Sequence, residues 1–512
     1  MRGAIDFDTA FTLPITPQPE DFDELGHVNN VTYLRWTQDI ATTHWRTIAG
    51  PELQETYVPN MISGHWGGTM CLTEPQAGSS LSDIVASAKP MADGSYRISG
   101  QKIFISAGDN QFSENIIHLL LARIEGAPAG TKGISLFVVP KNRIQEDGSL
   151  TPNDVTTVAD FQKMGQRGYA TTHLMFGEKE DCHGFLVGEA NEGLRYMFQM
   201  MNEARIAVGM HATGMATAAY HASLEYARER RQGRKITAAG VKDVQEEQTL
   251  IMNHPDVRRM LLTQKAITEG GASLVIQCAR YGDLAEAAEG EDKAKYHLLL
   301  ELLTPIAKTY PTEKGKEAID AGLQVLGGYG FCMDFPLQQY YRDIRITSLY
   351  EGTTGIQSLD LLGRKMTMKN GKAAQLLMAE MAATIAEAET YDDLKPWTAK
   401  LKQHTKKIQE VMMKLMPHAM QGDYERFLAD ATVFMQYSSI IIVAWQWLKM
   451  GTHAKKALVT GKGDRTEAFY ESKLHTMKFY FQYELPQANG LFEVLTAQDE
   501  QLTIVNEKEV IS

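Results

Sequence analysis

The sequence predicts a multidomain protein that is mainly α-helical, with a central antiparallel β-barrel or β-sandwich domain. Between residues 58 and 180, short apolar runs are separated by turns such as Ala92-Asp93-Gly94, a pattern typical of β-strands. From Glu192 onward, apolar residues such as Met197 and Met201 recur at helical spacing. The 512 residues also exceed what one hydrophobic core usually organises. We therefore expect a β-domain followed by helical domains.

The predicted elements follow this change of period along the chain. A first segment, residues 1–57, contains a helical pattern from Asn30 to Ile48. The β-rich region, residues 58–180, has six predicted strands: Gly67 to Leu72, Ile84 to Lys89, Tyr96 to Ser106, Ile116 to Arg123, Ile134 to Val139 and Thr172 to Phe176.

Two helical segments are predicted after the strands. Residues 181–365 form a helical bundle, and residues 366–512 form an extra C-terminal helical domain. The predicted helices and helical regions are Asp256 to Tyr281, Lys293 to Tyr310, Thr312 to Leu326, Ala373 to Leu458 and Thr466 to His475.

Composition excludes several classes of function. The net charge of -12 disfavours a nucleic-acid surface, which needs clustered Lys and Arg. Neither the N-terminus nor the longest apolar stretch, Ile440 to Leu448, predicts a signal peptide or a membrane span. The four cysteines are widely separated and lack zinc-site spacing, so we expect reduced thiols and no metal. The predicted location is the cytoplasm.

The segment Tyr350-Glu351-Gly352-Thr353 is the first candidate for chemistry. A carboxylate in an apolar setting has a raised pKa and can accept a proton near neutral pH. Glu351 is therefore a candidate catalytic base. The alternative is a loop glutamate near a helix start, stabilised by the helix dipole.

Two runs in the β-rich region are candidates for a cofactor site. The first, from Met70 to Ser80, combines hydroxyl groups with an irregular loop that suits a polar or anionic ligand. In the second, from Gly100 to Gly108, Phe104 and Ser106 lie on the same strand face, where a flat ring with polar edges would fit. The alternative is an ordinary turn followed by a hairpin strand. A dinucleotide fingerprint at Gly327 to Gly330 is rejected because the run follows a helix and lacks the required spacing.

Taken in order, these runs and several helical motifs resemble the acyl-CoA dehydrogenase family. The resemblance covers residues 58 to 365 and is most similar to the 3-methylmercaptopropionyl-CoA dehydrogenase branch. The motifs are Cys71 to Pro75 with Ala77 to Ser79, Gly100 to Ser106, Asn202 to Arg205, Tyr226 to Gly233, Gln324 to Gly330, Arg342-Asp343 and Tyr350 to Gln357.

The resemblance implies a FAD-dependent acyl-CoA dehydrogenase in which Glu351 removes the α-proton and the β-hydride passes to the flavin. The implied substrates are 3-methylmercaptopropionyl-CoA or short- and medium-chain acyl-CoA. Arg205 and Ser79 are implied at the substrate. The implied FAD-binding residues are Met70, Leu72, Thr73, Ser79, Phe104, Ser106, Arg230, Gln232, Gln324, Gly327, Gly328 and Thr353. Some of these act from a neighbouring subunit, which implies at least a homodimer, and electron-transferring flavoprotein is the expected acceptor.

The N-terminal segment has a different resemblance. Residues 21–34 are similar to the opening of hotdog-fold acyl-CoA thioesterases, in which Asp23 would match the catalytic carboxylate; His27 lies in the same run. This segment stands where the dehydrogenases carry a first helical layer. Two alternatives therefore remain open: a thioesterase that depends on Asp23, and an inactive assembly subunit.

Overall fold

A computed structural model describes residues 50–236, 240–497 and 502–504, without the side chains of residues 199, 200, 202 and 502. Most of the predicted thioesterase-like segment, including Asp23 and His27, lies outside these residues. The chain divides into two compact units, residues 1–203 and 204–512.

The first unit contains a short helix and two sheets. Helix α1 is Pro51–Ile62, and the strands are β1 (Trp66–Cys71), β2 (Ser87–Pro90), β3 (Tyr96–Ser106), β4 (Asn115–Ile124), β5 (Ile134–Pro140), β6 (Asn142–Ile144), β7 (Leu150–Pro152), β8 (Val155–Asp160), β9 (Thr171–Phe176) and β10 (His183–Leu186). The main sheet has the order β1-β4-β5-β10-β3-β9-β8, with β2 beside β3 and β4, and β6 pairs with β7.

The main sheet is largely antiparallel, as the turn pattern predicts, but β1 and β2 each pair with β4 in parallel. Strands β4 and β5 are buried along almost their whole length, which explains their continuous apolar sequences. Strand β8 was not predicted because it is polar and mostly exposed, so it carries no apolar alternation.

The second unit is helical. Helix α2 (Gly193–Glu229) begins just before the unit boundary, and is followed by α3 (Pro255–Ala287), α4 (Gly290–Leu326), α5 (Leu337–Ile344), α6 (Thr354–Asp360), α7 (Met368–Ala388), α8 (Lys395–Met420), α9 (Tyr424–Leu428), α10 (Ala431–Thr460), α11 (Glu467–Phe479) and α12 (Gln487–Thr496). Side chains from α3, α4, α7, α8 and α10 share one large apolar core.

Helix α4 corrects the prediction of two helices separated at Pro311. It runs unbroken through Pro305 and Pro311. Proline removes a helical hydrogen bond and crowds the preceding turn. Residues 301–312 are buried throughout, so tertiary packing offsets that cost. This helix carries Lys308, which matters for the site below.

One stretch, Tyr424–Thr460, is long and apolar enough to cross a membrane by length and composition. It comprises α9 and α10, and 67% of its most apolar window is buried inside the protein. The core helix of a folded domain passes the same test, so the stretch is weak support for a membrane span.

Candidate active site

Glu351 lies on a short left-handed loop in the second unit. The backbone φ angles of Glu351 and Gly352 are 52° and 84°. Such a conformation is uncommon for a residue with a side chain and usually marks a constrained site. The following residue, Thr353, caps helix α6 by accepting a hydrogen bond from the Ile356 amide at 3.1 Å. Glu351 thus does precede a helix, but Thr353 provides the cap.

Two buried side chains hold the carbonyl groups of this loop. The Gln357 amide donates to the Glu351 carbonyl at 3.1 Å, and the Lys308 ammonium donates to the Gly352 carbonyl at 2.7 Å. A Cβ atom at position 352 would lie 2.5 Å from Nε2 of Gln357. Glycine is therefore required at position 352 by both its backbone angle and its close neighbour.

The carboxyl group of Glu351 has the environment expected of a base. Its Oε2 atom is buried and has no hydrogen-bond partner within the described ranges. Burial raises the pKa of Glu351, while the positive charges of Arg205 and Lys308 act in the opposite direction. Desolvation thus exceeds the effect of the two cations, and the carboxylate is available to accept a proton.

Arg205 lies in the same neighbourhood, as the resemblance implies. Its side chain is buried, and Nη1 is 3.4 Å from Oδ2 of Asp360. Asp360 also accepts a hydrogen bond from Arg364 at 2.7 Å. The Arg205 side chain is only 8% exposed, so its ion pair with Asp360 is buried rather than on the helix surface.

The first unit brings its predicted flavin residues together on two adjacent segments. The Ile103 amide donates to the Thr73 carbonyl at 2.9 Å, which joins β3 to the loop after β1. Phe104 and Ser106 are both exposed while Ile105 is buried, so the predicted shared face is confirmed. The remaining residues border this region: Met70, Leu72 and Thr73 are partly buried, and Ser79 is exposed.

A buried ion pair beneath this loop was not predicted. The Lys102 ammonium lies 2.7 Å from Oε1 of Glu74 and also donates to the Leu72 carbonyl at 3.0 Å. The register of β3 and β9 shifts between Lys102 and Ile105, where Phe104 has a φ of 59°. This bulge turns Lys102 inward although it has the same parity as Phe104 and Ser106.

A second group of predicted FAD residues lies at the surface of the second unit. Arg230, Gln232, Gln324, Gly327 and Gly328 are all exposed. The two segments that carry them adjoin, because the rings of Tyr226 and Tyr329 have centroids 6.4 Å apart.

The exposed ring and hydroxyl of Phe104 and Ser106 fit the flat, polar-edged group of a flavin. The exposed Arg230, Gln232 and diglycine group fits an anionic phosphate chain, since it combines a cation with backbone that lacks side chains. The described residues contain no cluster of His, Cys, Asp and Glu suited to a metal.

Comparison with known families identifies the chain. The family model described as acyl-CoA dehydrogenase, middle domain, matches residues 69–178, and the corresponding C-terminal domain model matches residues 191–241 and 235–367. An acetyl-CoA dehydrogenase C-terminal-like model matches residues 377–505. The 3-methylmercaptopropionyl-CoA dehydrogenase of Ruegeria pomeroyi is 38% identical, over 89% of this chain and 76% of that protein. The chain belongs to the acyl-CoA dehydrogenase family.

Other acyl-CoA dehydrogenases are similar over comparable lengths. The broad-specificity linear acyl-CoA dehydrogenase FadE5 of Mycobacterium tuberculosis is 34% identical, over 90% of this chain and 76% of the relative. A solved structure of Caenorhabditis elegans ACDH-11 with C11-CoA shares the fold with a TM-score of 0.71 at 21% identity, over 93% of this chain and 77% of that one. The chain is accordingly an oxidoreductase that acts on CH–CH bonds, of a family that binds FAD.

Proposed function

We propose that this acyl-CoA dehydrogenase uses Glu351 as the base that removes the α-proton of an acyl-CoA thioester. The observation that carries the proposal is the buried, unpartnered Oε2 atom of Glu351 on a loop held by Lys308 and Gln357. A carboxylate oxygen without a hydrogen-bond partner has no competing hydrogen bond to lose when it accepts a proton. The raised pKa of Glu351 brings its basicity closer to that of a working catalyst.

The products follow from the atoms exchanged. The α-C–H bond breaks as the proton goes to Glu351, the β-hydrogen leaves with its electron pair, and a trans-2-enoyl-CoA remains. FAD supplies the acceptor of that hydride when it is bound. The α-proton is weakly acidic, so the thioester carbonyl must be polarised by positioned donors, and the family resemblance implies the backbone N–H of Glu351 as one of them.

The chain's own residues support FAD binding in two groups. In the first unit, Phe104 and Ser106 present a ring and a hydroxyl beside the loop of Leu72 and Thr73. In the second unit, the exposed Arg230 belongs to the group proposed to hold the phosphate and adenosine end, from a neighbouring subunit. Thr353 is proposed at the flavin and already has a structural role as a helix cap.

The proposed substrate is a short or medium acyl-CoA, with 3-methylmercaptopropionyl-CoA as one candidate. Relatives named as 3-methylmercaptopropionyl-CoA and butyryl-CoA dehydrogenases are 38% and 36% identical, so both acyl types need testing. Arg205 and Ser79 are proposed on the substrate side. A homodimer in the cytoplasm, with electron-transferring flavoprotein as the acceptor, completes the proposal.

The test is anaerobic addition of butyryl-CoA or 3-methylmercaptopropionyl-CoA to the FAD-loaded protein. We expect the flavin absorbance to bleach in the wild type and to remain in Glu351→Gln, which should still bind FAD. Glu380→Gln is the control, because Glu380 is ion-paired to Lys295 on another helix at 2.8 Å. Full bleaching by Glu351→Gln would refute the assigned base.

The same samples separate the two alternatives. Release of free CoA thiol that is lost in Asp23→Asn would indicate a thioesterase. Protein that stays colourless after FAD reconstitution would indicate a non-catalytic assembly subunit.

A further inference from the structure

Lys308 is a buried lysine whose ammonium group contacts a backbone carbonyl rather than a carboxylate. Its side chain is fully buried in helix α4. Two other buried lysines meet carboxylates, since Lys102 lies 2.7 Å from Glu74 and Lys365 lies 2.6 Å from Glu301. The Lys308 ammonium instead hydrogen-bonds the backbone carbonyl of Gly352, at 2.7 Å.

A neutral group could hold this carbonyl, as the neighbouring loop position shows. The amide of Gln357 already performs that task for the Glu351 carbonyl. Burying a charge costs much more than burying an amide unless an opposite charge compensates it. The choice of lysine at position 308 therefore calls for a role that needs the charge.

The charged groups that face Lys308 identify that role. Glu351 favours the protonated lysine most strongly, Glu313 on the same helix adds to this effect, and Arg205 on α2 opposes it. The relation is mutual, because Lys308 in turn favours the ionised form of Glu351. The main electrostatic partner of Lys308 is thus the proposed base.

We propose that Lys308 is a positioning residue for the dehydrogenation, which clamps the Gly352 carbonyl and keeps the Glu351 carboxylate ionised before proton abstraction. The inference rests on the proposed function of Glu351. The clamp fixes two consecutive residues with positive φ, and the positive charge opposes premature protonation of a desolvated carboxylate.

The pH dependence follows from the charge of the ammonium group. Burial lowers the pKa of Lys308 to about 8, against the favourable effects of Glu351 and Glu313. Lys308 is therefore charged below that pH and loses its charge above it. The charge of Lys308 favours ionised Glu351, so kcat should rise with pH along an acid limb that lies lower than it would without this charge.

The test compares Lys308→Met and Lys308→Gln with the wild type, each loaded with FAD. Lys308→Met removes both the donor and the charge, whereas Lys308→Gln removes the charge and keeps a donor on a slightly shorter side chain. We expect Lys308→Met to retain FAD binding and to lose about 100-fold in kcat, the scale of a disturbed general base. In both variants the acid limb of kcat should move about one pH unit higher.

The control removes a partly buried ammonium that also has a neutral acceptor. Lys449 hydrogen-bonds Oε1 of Gln277, and its charged neighbours are Arg280 and Glu380 rather than Glu351. Lys449→Met should leave the acid limb of the pH profile in place. A shift of the acid limb in this control as large as that in Lys308→Met would overturn the assignment.

The outcomes for Lys308 and Glu351 are distinguishable. If Glu351→Gln abolishes flavin bleaching while both Lys308 variants keep the wild-type acid limb, the inference about Lys308 fails and the proposed base stands. If Glu351→Gln remains active, the proposed base itself fails. Should neither Lys308 variant fold, Lys308→Arg decides, because it keeps a charged donor and should keep the wild-type acid limb; an acid limb moved about one pH unit higher in Lys308→Arg contradicts a role for the charge.

Discussion

Removing the ammonium of Lys102 should weaken FAD binding without touching the cofactor directly. Lys102→Met keeps the length of the side chain but leaves the Glu74 carboxylate, which is 1% exposed, without its counter-ion. The same change removes the hydrogen bond from Nζ to the Leu72 carbonyl at 3.0 Å. Both contacts brace the loop that we assign to the flavin.

The free energy lost in Lys102→Met can be estimated from other buried ion pairs. Breaking a buried ion pair by removing one partner typically costs about 3–5 kcal/mol. Glu74 keeps three donors, namely the Val85 amide at 2.8 Å, the Ala86 amide at 3.1 Å and the Gln76 side chain at 2.7 Å. We therefore expect the lower end, about 3 kcal/mol. Because binding must re-form the loop, the Kd for FAD should rise by roughly 100-fold.

The assay is a flavin absorbance titration of the apoprotein at fixed pH and salt. Lys141→Met is the matched control, since Lys141 pairs with Asp109 nearer the surface of the same unit and such pairs contribute about 0–1 kcal/mol. A Kd for Lys102→Met within threefold of the control would refute the bracing role of the Glu74–Lys102 pair.

Two further predictions concern the stability of each unit. In Gly209→Ala, the new Cβ would lie 2.1 Å from the Ala307 carbonyl oxygen. We expect thermal unfolding to show that this variant loses about 1–3 kcal/mol of the free energy of unfolding of the second unit. The control is Gly214→Ala, which should be neutral or stabilising because nothing lies within 4 Å of the new Cβ. In the first unit, burial lowers the pKa of His118 from 6.5 to about 3. Between these pH values the unfolded state binds more protons than the folded state. The free energy of unfolding should therefore fall as pH decreases through this window, by up to about 4 kcal/mol. The unfolding temperature should therefore fall less steeply below pH 6.5 in His118→Gln than in the wild type, while the exposed control His221→Gln should follow the wild type.

The family and the architecture were predictable because several family motifs occur in the expected order along the chain. The shared exposure of Phe104 and Ser106 also followed from simple strand alternation. Lys102 was missed because a bulge breaks that alternation, and the sequence carries no mark of the bulge. The parallel pairing of β1 and β2 with β4 was missed for a related reason, since strand pairing depends on contacts between distant segments.

The residues that hold the loop of Glu351 could not be predicted from the sequence. Lysines in helical patterns usually face solvent, so Lys308 gave no local signal of burial. Helix α4 was itself predicted to break at Pro311, three residues after Lys308. Proline disfavours a helix interior, and the sequence does not show the tertiary packing that keeps this helix continuous. The left-handed angles of Glu351 and Gly352 likewise depend on Lys308 and Gln357, which lie 43 positions before Glu351 and six positions after it.

The central claim is that Glu351 accepts the α-proton of a bound acyl-CoA. The most direct measurement is stopped-flow flavin bleaching under anaerobic conditions, with FAD-loaded wild type and Glu351→Gln mixed separately with butyryl-CoA. We predict rapid loss of flavin absorbance in the wild type and a rate at least about 100-fold lower in Glu351→Gln at equal FAD occupancy. Bleaching at the wild-type rate in Glu351→Gln would contradict the account.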